Sequence, residues 1–172
     1  RGQHPAQQAP LARPGQASPR PGRHAARRTS RAMIAYVDSS VVLRLALGQP
    51  DTLRDWNSIE EAVTSALTEV ECLRTLDRVR LVERLPDEEL VERRAAVYAF
   101  LESATVVDLA PPVLERAAQP LPTSLGTLDA IHLATAQLWS ERTGEKLVVA
   151  THHSALAMAA RAVGLRAIGV PA

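Results

Sequence analysis

The sequence predicts an α/β fold in which a short parallel sheet is covered by helices on both faces. Three observations predict it. Short apolar runs of strand length alternate along the chain with longer segments of helical period. The strand-length runs are apolar almost throughout, as strands buried on both faces are, and do not alternate between apolar and polar. The 172 residues suffice for one domain with a real core but not comfortably for two. No internal repeat is present.

The elements follow in order. Ile34–Val37 is a short apolar strand. Ser39–Leu47 reads as a helix capped by Asp38 or Ser39 and stopped by Gly48 and Pro50. Thr52–Asn57 is expected to be a short helix and Ala62–Thr64 a brief strand. A long helix runs from about Leu67 to Leu85, and another starts at Pro86–Asp87 and reaches Ser103, with acids in its first turn where the helix dipole favours them. Thr105–Leu109 is a strand, and Pro111–Ala118 is a helix with prolines at its start. Pro120–Gly126 is a loop, Leu128–Arg142 a helix stopped near Gly144, and Leu147–Ala150 a strand. Ser154–Ala162 is a helix stopped at Gly164, and Arg166–Val170 is the last strand.

Charge divides the chain into two materials. Residues 1–32 carry seven Arg and no Asp or Glu, so with a net charge of +1 overall, residues 33–172 carry −6. Residues 1–32 are rich in Pro, Gly, Gln and Ala and have almost no large apolar side chains, so nothing there repays the entropy of folding. They read as a disordered basic leader, read through from upstream or added to the chain, in preference to an RNA-binding arm. Met33 stands directly before the first strand, as a natural initiator would. Cys72 is the sole cysteine, which excludes an internal disulfide and fits a reducing compartment. No apolar run approaches the ~18 residues of a membrane span. A soluble, cytoplasmic protein is expected.

Three acids sit in apolar surroundings: Asp38 in IAYVDSS, Glu71 in LTEVECLR and Asp129 in TLDAIHLATA. A buried carboxylate is costly unless a cation, hydrogen bonds or a metal compensates it. Each has an ordinary explanation by itself. Asp38 is a good N-cap, Glu71 is placed to pair with Arg74 three residues on, and Asp129 is a first-turn acid behind a Thr127 cap. Glu69 and Glu71 point about 200° apart on a helix, so one of them faces solvent. Placement favours function, because ligands of parallel α/β sheets bind beyond the carboxyl ends of the strands. Asp38 ends the first strand, and Thr151, His152 and His153 end a later one.

The segments IAYVDSSVVLRLAL, TSALTEVECLRTL, TLDAIHLATA and LVVATHHSALAMAARAVGLRAIGVP resemble a PIN domain, and more closely the VapC-type toxins of toxin–antitoxin pairs. The resemblance covers residues 33–172, and the pairing of VDSS with LDAIHLATA carries its specificity. It implies a PIN-like three-layer sandwich and a metal-dependent endoribonuclease that uses Mg²⁺ or Mn²⁺. It also implies RNA of the tRNA or rRNA class as substrate, a VapB-like antitoxin as partner, a homodimer and no membrane. Carried onto this chain, Asp38, Glu71 and Asp129 are the implied catalytic and metal-binding acids, with Glu69 the weaker choice for the second. The family's fourth acid follows a strand in a T-x-D pattern. Here the stretch is Thr151-His152-His153, so His153 stands where an aspartate is expected. That replacement lowers the local negative charge by one and makes a second Mg²⁺ less favourable, while imidazole suits Mn²⁺ better. It also motivates the alternative of a catalytically weakened module that binds antitoxin or RNA without cutting. Ser39, Thr151 and His153 are accessory candidates, Ser39 sharing its capping explanation with Ser40. His132, three residues after Asp129, shares its face. A core histidine beside Ile131 is the expectation there, in preference to one that fixes a carboxylate. Leu53, Trp56 and the Leu90–Leu101 helix are expected mostly to pack in the core, with an apolar groove for a partner helix as the alternative.

Overall fold

A computed structural model of the chain describes residues 33–50 and 53–170. Residues 1–32 and the first residue of the helix expected at Thr52–Asn57 lie outside the described residues. Five parallel strands form one sheet in the order β3-β2-β1-β4-β5, with β1 Met33–Val37, β2 Ile59–Ser65, β3 Thr105–Val107, β4 Leu147–Ala150 and β5 Arg166–Ile168. The helices are α1 Ser39–Ala46, α2 Leu67–Glu83, α3 Asp87–Ser103, α4 Pro111–Ala117, α5 Thr127–Thr143 and α6 Ser154–Ala162. The predicted three-layer α/β sandwich is the observed fold.

Residues of β1 alternate between two cores, as period-two side chains must. Ala35 and Val37 face a cluster that holds Val41 and Val42 of α1, Cys72 and Leu76 of α2, and Val97 and Phe100 of α3. Tyr36 faces the opposite cluster, with Leu133 and Ala136 of α5 and Leu156, Ala159 and Ala160 of α6. The sheet is therefore sealed on both sides by aliphatic side chains. Leu53 and Leu90 belong to the first core, and Trp56 packs on Phe100 with ring centroids 6.2 Å apart. The apolar groove considered for these residues is filled from within.

Local differences from the sequence reading have identifiable causes. β2 is longer than Ala62–Thr64 because Glu60 and Glu61 sit in the strand with exposed side chains and break the apolar run. Between Leu53 and β2 the chain makes only a short 3₁₀ turn, Trp56–Ser58. α2 stops two residues early, where Arg84 takes a left-handed conformation (φ 53°) in the role more often given to glycine.

Strand order places the site. β1 lies between β2 and β4, and the helices that follow β1 and β4 pack on opposite faces. The carboxyl ends of β1 and β4 thus flank a switch point of the sheet, where a crevice opens. The two strand ends are tied together and to β5. Asp38 N–H donates to Ala150 O at 3.0 Å and Thr151 N–H donates to Ile168 O at 3.0 Å. Gly169 closes this corner at φ 96°, and a Cβ built on it would overlap the Thr151 carbonyl oxygen. Gly169→Ala is expected to cost about 1–3 kcal/mol in urea unfolding, as a strained left-handed position does. A loss below ~0.5 kcal/mol would show that the corner relaxes without strain.

Candidate metal centre

The site is built from three chain ends that converge on one cleft. Asp38 follows β1, Glu71 rises from the first turns of α2 in one helical layer, and Asp129 lies in the first turn of α5 in the other. A cleft of about 380 Å³ is lined by Asp38, Ser39, Ser40, Glu71, Gly126 to Asp129, and His153. The three acids singled out in the sequence therefore share one cavity. Glu69 is exposed on the outer side of α2, as the spacing argument requires of one of the pair.

Asp38 is 3% exposed, and its two oxygens have different surroundings. Oδ2 accepts from Ser40 Oγ at 2.5 Å, from Thr151 Oγ1 at 2.8 Å and from the Ser40 amide at 3.4 Å. Oδ1 accepts a long bond from Ser39 Oγ at 3.4 Å and faces His132 Nε2 at 3.5 Å. One oxygen thus performs the expected N-cap, while the other lies beside the imidazole that holds Glu71. Capping and site formation are done by the same side chain.

The hydroxyls are themselves braced. Ser40 Oγ accepts from the His152 amide at 3.0 Å, and Thr151 Oγ1 accepts from the His153 amide at 2.9 Å. Of the two serines, Ser40 makes the stronger contact with Asp38, and Ser39, the accessory candidate, the weaker. Ser39 contributes instead through its carbonyl, which faces Cys72 Sγ at 3.9 Å.

Glu71 does not pair with Arg74, which lies 3.6 Å from Asp77. Its Oε2 is 2.6 Å from His132 Nε2. His132 is 1% exposed, and its Nδ1 is 2.7 Å from the Tyr36 hydroxyl, itself fully buried. The expectation of a core histidine holds for burial but not for role, since the ring is spent on carboxylates and not on Ile131. Sequence reasoning passes over Tyr36 altogether. Its signal is parity, for Tyr36 is two residues before Asp38 on a strand and must face the same layer. Burial opposes protonation of His132, but the Glu71 hydrogen bond and the fields of Asp38, Glu71 and Asp129 outweigh it and raise the imidazole pKa. Burial, with Asp38 and Glu71 adding to it, raises the Tyr36 phenol well above its usual value, so it keeps its proton.

Asp129 does not sit behind a Thr127 cap. Thr127 is the first helical residue, and the cap position is Gly126, without a side-chain bond. Asp129 Oδ1 instead accepts from His153 Nδ1 at 2.8 Å, with the imidazole half-exposed. His153, the residue in the expected place of a fourth acid, is therefore a partner of the third.

The donor set fits a divalent cation. Carboxylate oxygens from Asp38, Glu71 and Asp129 line one cleft, and such hard donors suit Mg²⁺ or Mn²⁺. Among the described residues, Asp38, Glu71 and His132 form a group whose candidate ligand atoms lie within 4.8 Å of one another. Asp129 completes the cleft but not that group. Of the two Asp38 oxygens, Oδ1 is the less saturated.

Residues 35–152 match the PIN domain family. Among curated proteins, the chain is 32% identical over 136 residues to Ribonuclease VapC46 of Mycobacterium tuberculosis, covering 77% of this chain and 95% of that protein. It is 35% identical over 108 residues to Ribonuclease VapC47 of the same organism, covering 59% of this chain and 73% of that protein. Among solved structures, it is similar to VapC20 of Mycobacterium tuberculosis, described as a sarcin-ricin loop cleaving toxin, with a TM-score of 0.52 and 17% identity, covering 79% of this chain and 98% of that one. A toxin–antitoxin complex from Klebsiella pneumoniae gives a TM-score of 0.51 at 18% identity, covering 82% and 97% of the two chains.

The packing behind the site also governs a thiol. Cys72 is fully buried, and burial first, then Glu71 and Asp38, push its thiol pKa up to about 12. Thiolate is the reactive form. Cys72 is expected to resist a thiol reagent such as DTNB at pH 8 in the native protein and to react stoichiometrically in urea. Fast native labelling would contradict the packing of α2 against α1.

Proposed function

Because this chain belongs to the PIN domain family, we propose that it is a metal-dependent endoribonuclease toxin of a toxin–antitoxin pair. Asp38, Glu71 and Asp129 hold Mg²⁺ or Mn²⁺, and the reaction is hydrolysis of RNA phosphodiester bonds. One observation carries the reading: three carboxylates from two helical layers and a strand end line a single cleft at the carboxyl edge of a parallel sheet. An acidic cleft repels a phosphodiester, so RNA enters only with a cation between. The relatives named as ribonucleases support the same chemistry.

A divalent cation in this cleft supplies positive charge to the phosphate and acidifies a water near neutral pH. The chain supplies the geometry. Ser40 and Thr151 hold one oxygen of Asp38, which leaves the other with only a long bond from Ser39. The Ser39 and Ser40 end of α1 and the Gly126–Asp129 end of α5 both line the cavity, where they orient a strand of RNA. His153 holds Asp129 from the rim, with its Nε2 on the solvent side of that bond.

The domain comprises residues 33–172, with residues 1–32 as a leader outside it. The partner is a small VapB-like antitoxin that blocks this cleft, and two copies associate as a homodimer. The toxin–antitoxin complex among the similar structures supports the first of these partners. Among the described residues no helix is long and apolar enough to cross a membrane. A second reading, a module that binds antitoxin or RNA without cutting, is favoured by His153 in the fourth place and its hold on Asp129.

The test is cleavage of total RNA and purified tRNA by the full chain with Mg²⁺ or Mn²⁺. EDTA is expected to abolish cleavage. Asp38→Asn, Glu71→Gln and Asp129→Asn are each expected to reduce the rate at least about 100-fold, the scale of removing one group that stabilises transition-state charge. Cleavage that persists in EDTA or in all three variants rejects the proposal. A folded protein inactive with both metals selects the binding module.

A further inference from the structure

We propose that Tyr36 and His132 are positioning residues that aim the Glu71 and Asp38 carboxylates into the cleft, so that the cation site is set before a cation arrives. This rests on the cation-binding reading above. Neither residue lines the cleft, so neither touches substrate. Both lie in the core, at 0% and 1% exposure, with their rings edge to face and 5.9 Å apart.

Core packing alone does not account for them. An aliphatic side chain at 132 would occupy this fully buried position without the cost of burying polar atoms. Here both ring nitrogens are used, Nε2 toward the site and Nδ1 toward the buried phenol behind it. Carboxylates only accept, so Nε2 carries the hydrogen that Glu71 Oε2 accepts at 2.6 Å, with Asp38 Oδ1 at 3.5 Å. In the neutral ring, Nδ1 then accepts from the Tyr36 hydroxyl at 2.7 Å. The phenol keeps the ring from turning, and the ring keeps Glu71 from leaving.

The need for such a strut follows from where Glu71 comes from. It projects from α2, in the layer opposite α5, on a side chain with three rotatable bonds. A free glutamate would lose rotamer entropy on binding an ion. The Tyr36–His132 strut crosses from β1 through α5 to α2 and removes that loss beforehand. It also puts one N–H beside two like charges that would otherwise repel.

The experiment measures Mn²⁺ affinity of the full chain by EPR titration, together with electron spin echo modulation from ¹⁴N and near-UV circular dichroism. The variants are Tyr36→Phe, His132→Ala and Asp38→Asn. His132→Ala is expected to weaken Mn²⁺ binding about 10–100-fold, the usual effect of losing a group that orients a ligand. Tyr36→Phe is expected to weaken it by a smaller factor with an unchanged near-UV spectrum, which a purely structural role would not produce. Wild type is expected to show no ¹⁴N modulation. Affinity within twofold of wild type in folded Tyr36→Phe and His132→Ala overturns the proposal. If His132→Ala does not fold, Tyr36→Phe decides alone. A ¹⁴N signal lost in His132→Ala makes the histidine a direct ligand and also overturns it. Mn²⁺ binding indifferent to Asp38→Asn removes the cation reading and the strut with it. Weakened Mn²⁺ binding in a protein that never cleaves RNA leaves the strut in place and removes only the nuclease.

Discussion

A carboxylate buried at the end of the central strand has to be solvated by the protein, and the rest of the site is organised around that requirement. Asp38 is 3% exposed and ends β1. Transfer of such a charge out of water is unfavourable by several kcal/mol unless hydrogen bonds replace the lost hydration. Ser40 supplies one from the next helix and Thr151 one from the end of β4. Those two hydroxyls in turn receive the amides of His152 and His153. The charge at one strand end thereby fixes the conformation of the neighbouring strand end and presents His153 to Asp129.

The same requirement explains why the two helical layers meet at this edge. Satisfying Oδ2 leaves Oδ1 short of partners, with Glu71 from one layer and His132 from the other beside it. Two carboxylates this close repel unless positive charge or a shared donor separates them. The imidazole provides that donor in the protein by itself, and the proposed divalent cation would add stronger compensation. Residues 33–172 and the cleft are both acidic, which is not the basic footprint of a nonspecific nucleic-acid binder, so the proposed nuclease function requires a cation between RNA and the cleft.

Much of this was legible in the sequence, and the reason is parity and punctuation. Short aliphatic runs such as those ending at Val37 and Ala150 mark the strands, and Gly48, Gly144 and Gly164 stop the helices between them. Asp38, Glu71 and Asp129 stand out because acids are rare in apolar runs. What was not legible depends on contacts across the sheet. Nothing local distinguishes Ser40 from Ser39 as the partner of Asp38, since the choice is made by Thr151, more than a hundred residues away. Arg74 is the obvious partner of Glu71 along the helix, yet His132 displaces it from the other layer. Thr127 looks like a cap, but the acid it was to precede is engaged by His153. For Glu71 and Asp129 a long-range hydrogen bond takes the place of a local preference worth a few tenths to about 1 kcal/mol.

The central claim is that the three carboxylates form one cation site. Paramagnetic broadening of backbone amides by substoichiometric Mn²⁺, followed by NMR on the full chain, tests it most directly. The account predicts selective loss of the Ser39, Ser40, Leu128, Asp129 and His153 amide signals, abolished in Asp38→Asn, while those of α3 and the far ends of α4 and α6 persist. Broadening centred on the exposed acids of α3, Asp87 to Glu89, or spread evenly over the surface, would contradict it.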